Sequence, residues 1–423
     1  MQSTLDNPKE LLRSLLDAAI AAAHPDQCLA QALPADRSGR ALVLGAGKAA
    51  GAMAAVFERE WQGPLSGLVV TRYGHGVDCE RIEVLEASHP VPDTAGSQAA
   101  ARMLSMASNL NETDTVFFLV SGGGSSLLSL PAQGIGLDEK KAINKALLAS
   151  GAAIDEINCV RKHLSAIKGG RLALACGQAK LVTYAISDVP GDDPSVIASG
   201  PTVTDATTRR DARAVLDRYK IEYSTCIDGW LASPQSETPK PGDFEGLDHT
   251  YHMIATPSAA LAAAAEAAKA AGLEVLVLGD NIEGEAREVA RVMAGIATYI
   301  GTEQAFHRKP MVILSGGETT VTLRGQGRGG RNAEFLLALS TALKGAPNIY
   351  ALAADTDGID GTEDNAGAYF EPGHWLRAQA MDLSPRGYLD NNDGYGYFNA
   401  LNALIKTGPT RTNVNDFRAV LVL

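Results

Sequence analysis

Short runs of Val, Leu and Ile alternate with Ala-rich segments of helical period along most of the 423-residue chain. The pattern predicts strands at 41–44, 67–71, 115–120 and 181–186 and helices at 48–60, 95–108 and 137–150. It resumes with helix 258–271, strand 274–278, helix 284–299, strand 311–314, a helix from Asn332, strand 349–353 and a final strand 419–423. Strands separated by helices are the signature of α/β layers with a largely parallel sheet.

Three of these runs pass directly into glycines. They are Gly45-Ala46-Gly47-Lys48, Ser121-Gly122-Gly123-Gly124-Ser125-Ser126 and Ser315-Gly316-Gly317-Glu318-Thr319. Glycine lets backbone approach an anion and turn N–H groups toward it, and a helix beginning there adds its positive dipole end. Such turns predict a phosphorylated ligand, with Lys48 as a phosphate-binding cation and Ser125 or Ser126 capping the next helix. The bland alternatives are an exposed first-turn lysine and tight turns without a ligand.

The length predicts two large domains, because single cores stop growing at roughly 250–300 residues. The stretch 233–243, rich in Pro and polar residues, reads as a linker and divides the chain into 1–235, a linker at 236–250, and 251–423. Ahead of the first strand, Asn7, Pro8 and Glu10 read as a helix start, followed by a stripe of Leu11, Leu12, Leu15, Leu16 and Ile20.

A net charge of −12 without a long basic run argues against nucleic acid and anionic membrane as partners. Five scattered cysteines offer neither a disulfide framework nor a zinc knuckle. No secretory pattern or spanning apolar stretch is present, so a soluble, cytoplasmic protein is expected.

Candidate chemistry gathers in four further places. Asp188, Asp192 and Asp193 follow a strand end, where Asp188 could hold Mg²⁺ or take a hydroxyl proton, or could simply cap a turn. Arg324 to Asn332 is a basic, glycine-rich loop in which Arg331 could grip a carboxylate or phosphate through two bonds. Asp355-Thr-Asp357-Gly358-Ile-Asp360-Gly361 suits a divalent ion, sugar-like hydroxyls or an Asx turn. Arg161, Lys168 and Arg171 would share a face only if their helix ran through Gly169-Gly170; His163 reads as structural. Gly45 to Ala50 loosely fits a dinucleotide fingerprint, but the next strand ends Val70-Thr71-Arg72 without the acidic residue that holds the NAD ribose. Arg72 leaves NADP open.

These motifs, in order, resemble the glycerate 2-kinase family with a C-terminal MOFRL domain, often labelled hydroxypyruvate reductase. The resemblance rests on Gly45 to Lys48, His89-Pro-Val-Pro-Asp93, Ser121 to Ser125, Val160 to Ser165 with Lys168-Gly-Gly170, Ser187-Asp-Val-Pro-Gly191, Ser315 to Glu318, Gly329 to Asn332 and Thr356 to Gly361. It implies an N-terminal Rossmann-like α/β/α sandwich, a smaller C-terminal α/β domain and an interdomain cleft. It also implies ATP- and Mg²⁺-dependent phosphorylation of the 2-hydroxyl of D-glycerate.

On that basis Lys48, Asp188 and Arg331 are expected to be catalytic. Gly45, Gly47, Ser121 to Ser126 and Glu318 are expected to hold the nucleotide, Lys48, Arg161 and Arg331 the substrate, and Asp188 and Asp357 the metal. A homodimer is compatible with this reading. Arg411 departs from the pattern, standing where many relatives have glycine, beside Asn415 and Asp416. Two other readings remain: an NAD(P)H-dependent hydroxypyruvate reductase and a non-catalytic binder of sugar phosphates.

Overall fold

The computed structural model describes residues 6–302 and 308–423. It divides into two compact units, Pro25–Ile254 and a second that joins the N-terminal residues through His24 to Ala255–Leu423.

The first unit is built on a six-stranded sheet of order β3-β2-β1-β4-β5-β6. Its strands are β1 Ala41–Ala46, β2 Leu65–Arg72, β3 Ile82–Ala87, β4 Thr115–Val120, β5 Lys180–Ile186 and β6 His249–Ala255. β3, β2, β1, β4 and β5 pair in parallel. A parallel sheet needs cover on both faces, and alternate residues supply it. Leu44, Val70, Phe118 and Leu181 enter one buried cluster. On the alternate positions Phe117 packs against Phe57, Trp61 and Tyr184. Chain order reverses between β1 and β4, and in such sheets ligands bind beyond the strand ends at that point.

The second unit contains a sheet of order β13-β12-β11-β14-β9-β7. Here β7 is Glu274–Val277, β9 Met311–Ser315, β11 Ile349–Asp355, β12 Gly367–Phe370, β13 Leu404–Ile405 and β14 Asp416–Val422. Only β7 and β9 run parallel; the pairings of β14 with β9 and β11, and of β12 with β11 and β13, are antiparallel. The expectation of a largely parallel sheet therefore holds for the first unit and not for the second. Helical spacing between strands does not reveal strand direction. A small parallel pair joins β8 Gly284–Glu285 to β10 Thr319–Thr320.

The expected domain bounds differ from this division in two places. The helix Pro8–Ala23, with Asn7 Oδ1 accepting from Glu10 N at 3.3 Å, buries Leu11, Leu12, Leu15 and Leu16 in the second unit beside the helix Pro257–Ala270, β11 and β14. Each buried Leu contributes about 1.5–3 kcal/mol, enough to fix a terminal helix to a distant part of the chain. The expected linker is part of the first unit. Arg171 Nη2 donates to the carbonyls of Ser236 and Glu237 at 2.9 and 3.1 Å, Ser236 and Thr238 are buried, and β6 then completes the sheet. Proline-rich sequence marks irregular backbone, but only tertiary contacts decide whether that backbone is docked.

Candidate functional site

In the parallel-sheet unit the glycine turns after β1 and β4 are joined at the point of strand-order reversal. Lys48 N donates to the Gly122 carbonyl at 2.8 Å, and Ser121 Oγ accepts from Ala49 N at 2.9 Å. The Ser121 hydroxyl thus caps the helix Ala50–Glu60, whose N-cap residue Ala49 offers no side-chain acceptor. Gly47, at φ 141°, is required here, because a side chain on it would collide with Ser121. Gly47 and Lys48 are thus brought against the Ser121–Ser126 turn, with Ser121 a structural link, whereas Gly45 lies within β1, paired with Val69 and Leu119. Among the described residues the N–H groups of Gly122 and Gly123 have no acceptor within the protein, which leaves them for an anion.

The expected serine cap does not form. The helix after the turn, Gly124–Leu127, has four residues and no side-chain cap. Ser126 Oγ bonds the Gly123 carbonyl at 3.1 Å, and Ser125 Oγ lies 3.0 Å from Ser199 Oγ. Asp188 follows β5 on a half-buried loop. Arg161 lies on the helix Ile154–His163 and donates to Asn144 Oδ1 at 2.6 Å. That helix ends before Gly169 and Gly170, both at positive φ, so Arg161, Lys168 and Arg171 share no continuous helical face. His163 is structural: it is fully buried, with Nδ1 2.8 Å from the Cys159 carbonyl and its own carbonyl accepting from Trp230 Nε1.

The other unit gathers its charges around Arg331, the first residue of the helix Arg331–Leu343. Arg331 Nε meets Asp416 Oδ1 at 2.7 Å, Nη1 meets Glu318 at 2.8 Å, and Nη2 meets Asp355 at 3.0 Å and Asn415 at 2.9 Å. Four of the five guanidinium N–H groups are engaged. Desolvation opposes the charge, but Asp416, Asp355 and Glu318 together push the Arg331 pKa well above its usual value. Asp416 Oδ2 in turn accepts from the fully buried Arg418 at 2.5 Å. Asp360 receives Asn332 N and Ala333 N at 3.0 and 2.8 Å, and burial raises its carboxyl to about 6.

Asp357, expected to bind metal, is buried and accepts from Ile359 N at 2.8 Å, the Asx-turn geometry. Among the described residues no three His, Cys, Asp or Glu side chains are grouped as a metal site. The turn at Ser315 departs from the phosphate-site pattern, because β10 rather than a helix follows it. Gly317 lies against Ile282, and the Gly316 carbonyl accepts from Arg418 at 2.8 Å. Arg328 pairs with Glu363 at 2.8 Å and stacks 4.3 Å from the Tyr395 ring.

Sequence reasoning missed Arg418, Lys140, Asn158 and Ser199. A charged residue inside the apolar strand Asp416–Val422 was a signal for Arg418. Nothing local distinguishes Lys140 from its solvent-facing neighbours.

Residues 11–231 match the family described as "Domain of unknown function (DUF4147)", and residues 311–416 match the MOFRL family. A putative hydroxypyruvate reductase of Agrobacterium vitis is 53% identical, over 98% of this chain and 94% of its own length. The D-glycerate 2-kinase of Thermotoga maritima is 39% identical over 98% of both chains. A crystal structure of Thermotoga maritima glycerate kinase superposes with a TM-score of 0.88, covering 98% of this chain and 99% of that one. With two such full-length matches and the same two-unit α/β architecture, the chain belongs to the glycerate 2-kinase family whose C-terminal part is the MOFRL region.

Proposed function

We propose that the protein transfers the γ-phosphoryl group of ATP to the 2-hydroxyl of D-glycerate, giving 2-phosphoglycerate and ADP. The observation that carries the reading is the full-length likeness to the Thermotoga kinase in sequence and fold. The joined glycine turns at the sheet's switch point support it, since a nucleotide polyphosphate needs backbone N–H groups and a cation at such a place.

Phosphoryl transfer depends on positioning and charge neutralisation more than on covalent help. Lys48 would meet the transferred group, and the N–H groups of Gly122 and Gly123 would hold phosphate oxygens. Asp188 would orient the attacking hydroxyl or receive its proton. Arg331, held by three carboxylates, would contribute its remaining Nη1 N–H to an anionic ligand while fixing Glu318, Asp355 and Asp416. Mg²⁺, when bound with the nucleotide, would neutralise developing charge. It needs only one or two protein carboxylates, and Asp188 and Asp357 are the candidates.

The test is an assay that resolves ADP and the phosphoglycerate isomers. Formation of ADP with 2-phosphoglycerate, lost in EDTA and restored by Mg²⁺, is expected. The name of the Agrobacterium relative motivates a parallel arm with hydroxypyruvate and NADPH. Oxidation of NADPH there, without ADP formation from glycerate, would replace the kinase reading.

A further inference from the structure

Three cations of the parallel-sheet unit are held without a carboxylate. Lys140, on the helix Leu137–Ser150, is 7% exposed, and its Nζ has no hydrogen-bond partner. Lys168, 1% exposed, donates from Nζ to the Ala198 carbonyl at 3.0 Å. Arg161 donates to Asn144 and lies close enough for its charge to act on both lysines. Burial, reinforced by Arg161, pushes Lys140 down to about 7; burial, with Lys140 and then Arg161, holds Lys168 well below its usual value. Among the described residues no carboxylate acts on any of the three. The contrast with Lys162, on the same helix as Arg161 and paired with Asp205 at 3.2 Å, is direct.

A buried ammonium is unfavourable unless something compensates its charge, and the surroundings are built to receive polar atoms. Asn158 and Arg161, three residues apart, share a helix face. Asn158 Oδ1 accepts from Ser199 Oγ at 3.1 Å, and Ser199 Oγ lies 3.0 Å from Ser125 Oγ on the glycine turn. Ala198 and Ser199 adopt φ of 51° and 60°, a left-handed conformation that non-glycine residues rarely hold and that concentrates at functional sites. Lys168 grips that turn through the Ala198 carbonyl, so Lys168, the strained turn and the glycine loop form one connected cluster, with the charges of Lys140 and Arg161 close enough to act on Lys168.

We propose that Lys140, Arg161 and Lys168, with Ser125, Asn158 and Ser199, form an oxyanion-binding site beside the Ser121–Ser126 turn. Its ligand is an anionic oxygen group, either the phosphoryl oxygens of a nucleotide or the carboxylate of the acceptor. The kinase reading supplies the probes but not the evidence for the site.

The experiment is calorimetric titration of the full-length protein with inorganic phosphate, ADP and D-glycerate separately, in wild type and Lys140→Met. Loss of a charge-assisted contact should weaken the bound probe by ~10-fold or more. Weakening of phosphate and ADP identifies a phosphoryl site; weakening of D-glycerate alone identifies a carboxylate site. Lys140→Met removes an uncompensated buried charge, so the apo melting temperature should hold or rise. If that variant fails to fold, Arg161→Gln is read in the same way. The proposal is overturned if wild type binds none of the three probes, or if every probe keeps its affinity within tenfold in a folded variant. Failure of the kinase reading shows instead as absence of ADP in turnover, and leaves these binding results standing.

Discussion

After β4, the Ser121-Gly122-Gly123 turn lies against the turn that follows β1, with Lys48 on it and the unpaired cations Lys140, Arg161 and Lys168 in the same unit. After β9, the Ser315-Gly316-Gly317 turn lies against Ile282 and Arg418, and the nearby cation Arg331 already holds Glu318, Asp355 and Asp416. The two turns share a sequence and a preceding strand. They differ in their cations: Lys140, Arg161 and Lys168 are held without a carboxylate, whereas Arg331 is ringed by three. On the proposal above, Lys140, Arg161 and Lys168 take an anionic ligand, whereas a cation ringed by carboxylates first organises the fold.

Mutations should separate the two regions, and the largest effect on turnover is expected at Asp188. Asp188→Asn keeps size and hydrogen bonding but removes the charge, and kcat should fall by ~10²–10⁴-fold if the carboxylate assists the hydroxyl. A folded variant with wild-type kcat would return Asp188 to turn capping.

Arg331→Lys removes the planar fork that reaches four acceptors. Loss of at least two charge-assisted bonds predicts a stability decrease of about 3 kcal/mol or more, together with a tenfold or greater drop in kcat/KM. Denaturant melts and kinetics should move together; a kinetic loss at unchanged stability would make Arg331 a ligand contact rather than an organiser.

Asp360 supplies a pH test of the same region. Its folded value, about 6, lies above the usual carboxylate range, so the native state keeps the proton longer as pH rises. Stability contributed by this carboxyl is therefore fully present below about 4 and is lost as pH rises through about 6. The swing is about 3 kcal/mol. Urea melts across that window should show the decline, and Asp360→Asn should flatten it.

Lys48→Met should reduce kcat/KM at least tenfold, since one charge-assisted contact contributes ~1.5–3 kcal/mol. A folded Lys48→Met variant with wild-type kcat/KM would remove Lys48 from the phosphate site.

The smallest effect is expected at Arg411, which is exposed at φ 62°. Left-handed backbone costs a non-glycine residue ~1–2 kcal/mol, so Arg411→Gly should stabilise by about 0.5–1 kcal/mol once glycine's greater chain entropy is counted. This geometry also accounts for the departure at that position: the loop keeps a glycine conformation with arginine in it. A destabilised Arg411→Gly would show that the side chain makes a needed contact.

The parallel sheet was legible because β1, β4 and β5 are apolar runs covered on both faces, and the helix 137–150 falls where its period places it. β3 was missed because Glu83 and Glu86 interrupt its apolar residues, and the short strands β12 and β13 carry too few residues for a period. The assignment of Pro8–Ala23 to the second unit was invisible, since an amphipathic stripe specifies a buried face but not its partner. In the site, the glycine turns were legible as local backbone chemistry. The ring around Arg331 was not, because Glu318, Asp355 and Asp416 come together only through β14 pairing between β9 and β11. Nor was the Lys140 cluster, whose meaning lies in the carboxylates that three-dimensional packing keeps away.

A crystal structure with a non-hydrolysable ATP analogue tests this contrast most directly. The expected result places phosphate oxygens on the N–H groups of Gly122 and Gly123 within hydrogen-bonding reach of Lys48, with Arg331 still bound to Asp355 and Asp416. Phosphates seated on the Ser315–Thr319 turn, with Arg331 released from its carboxylates to hold them, would contradict it.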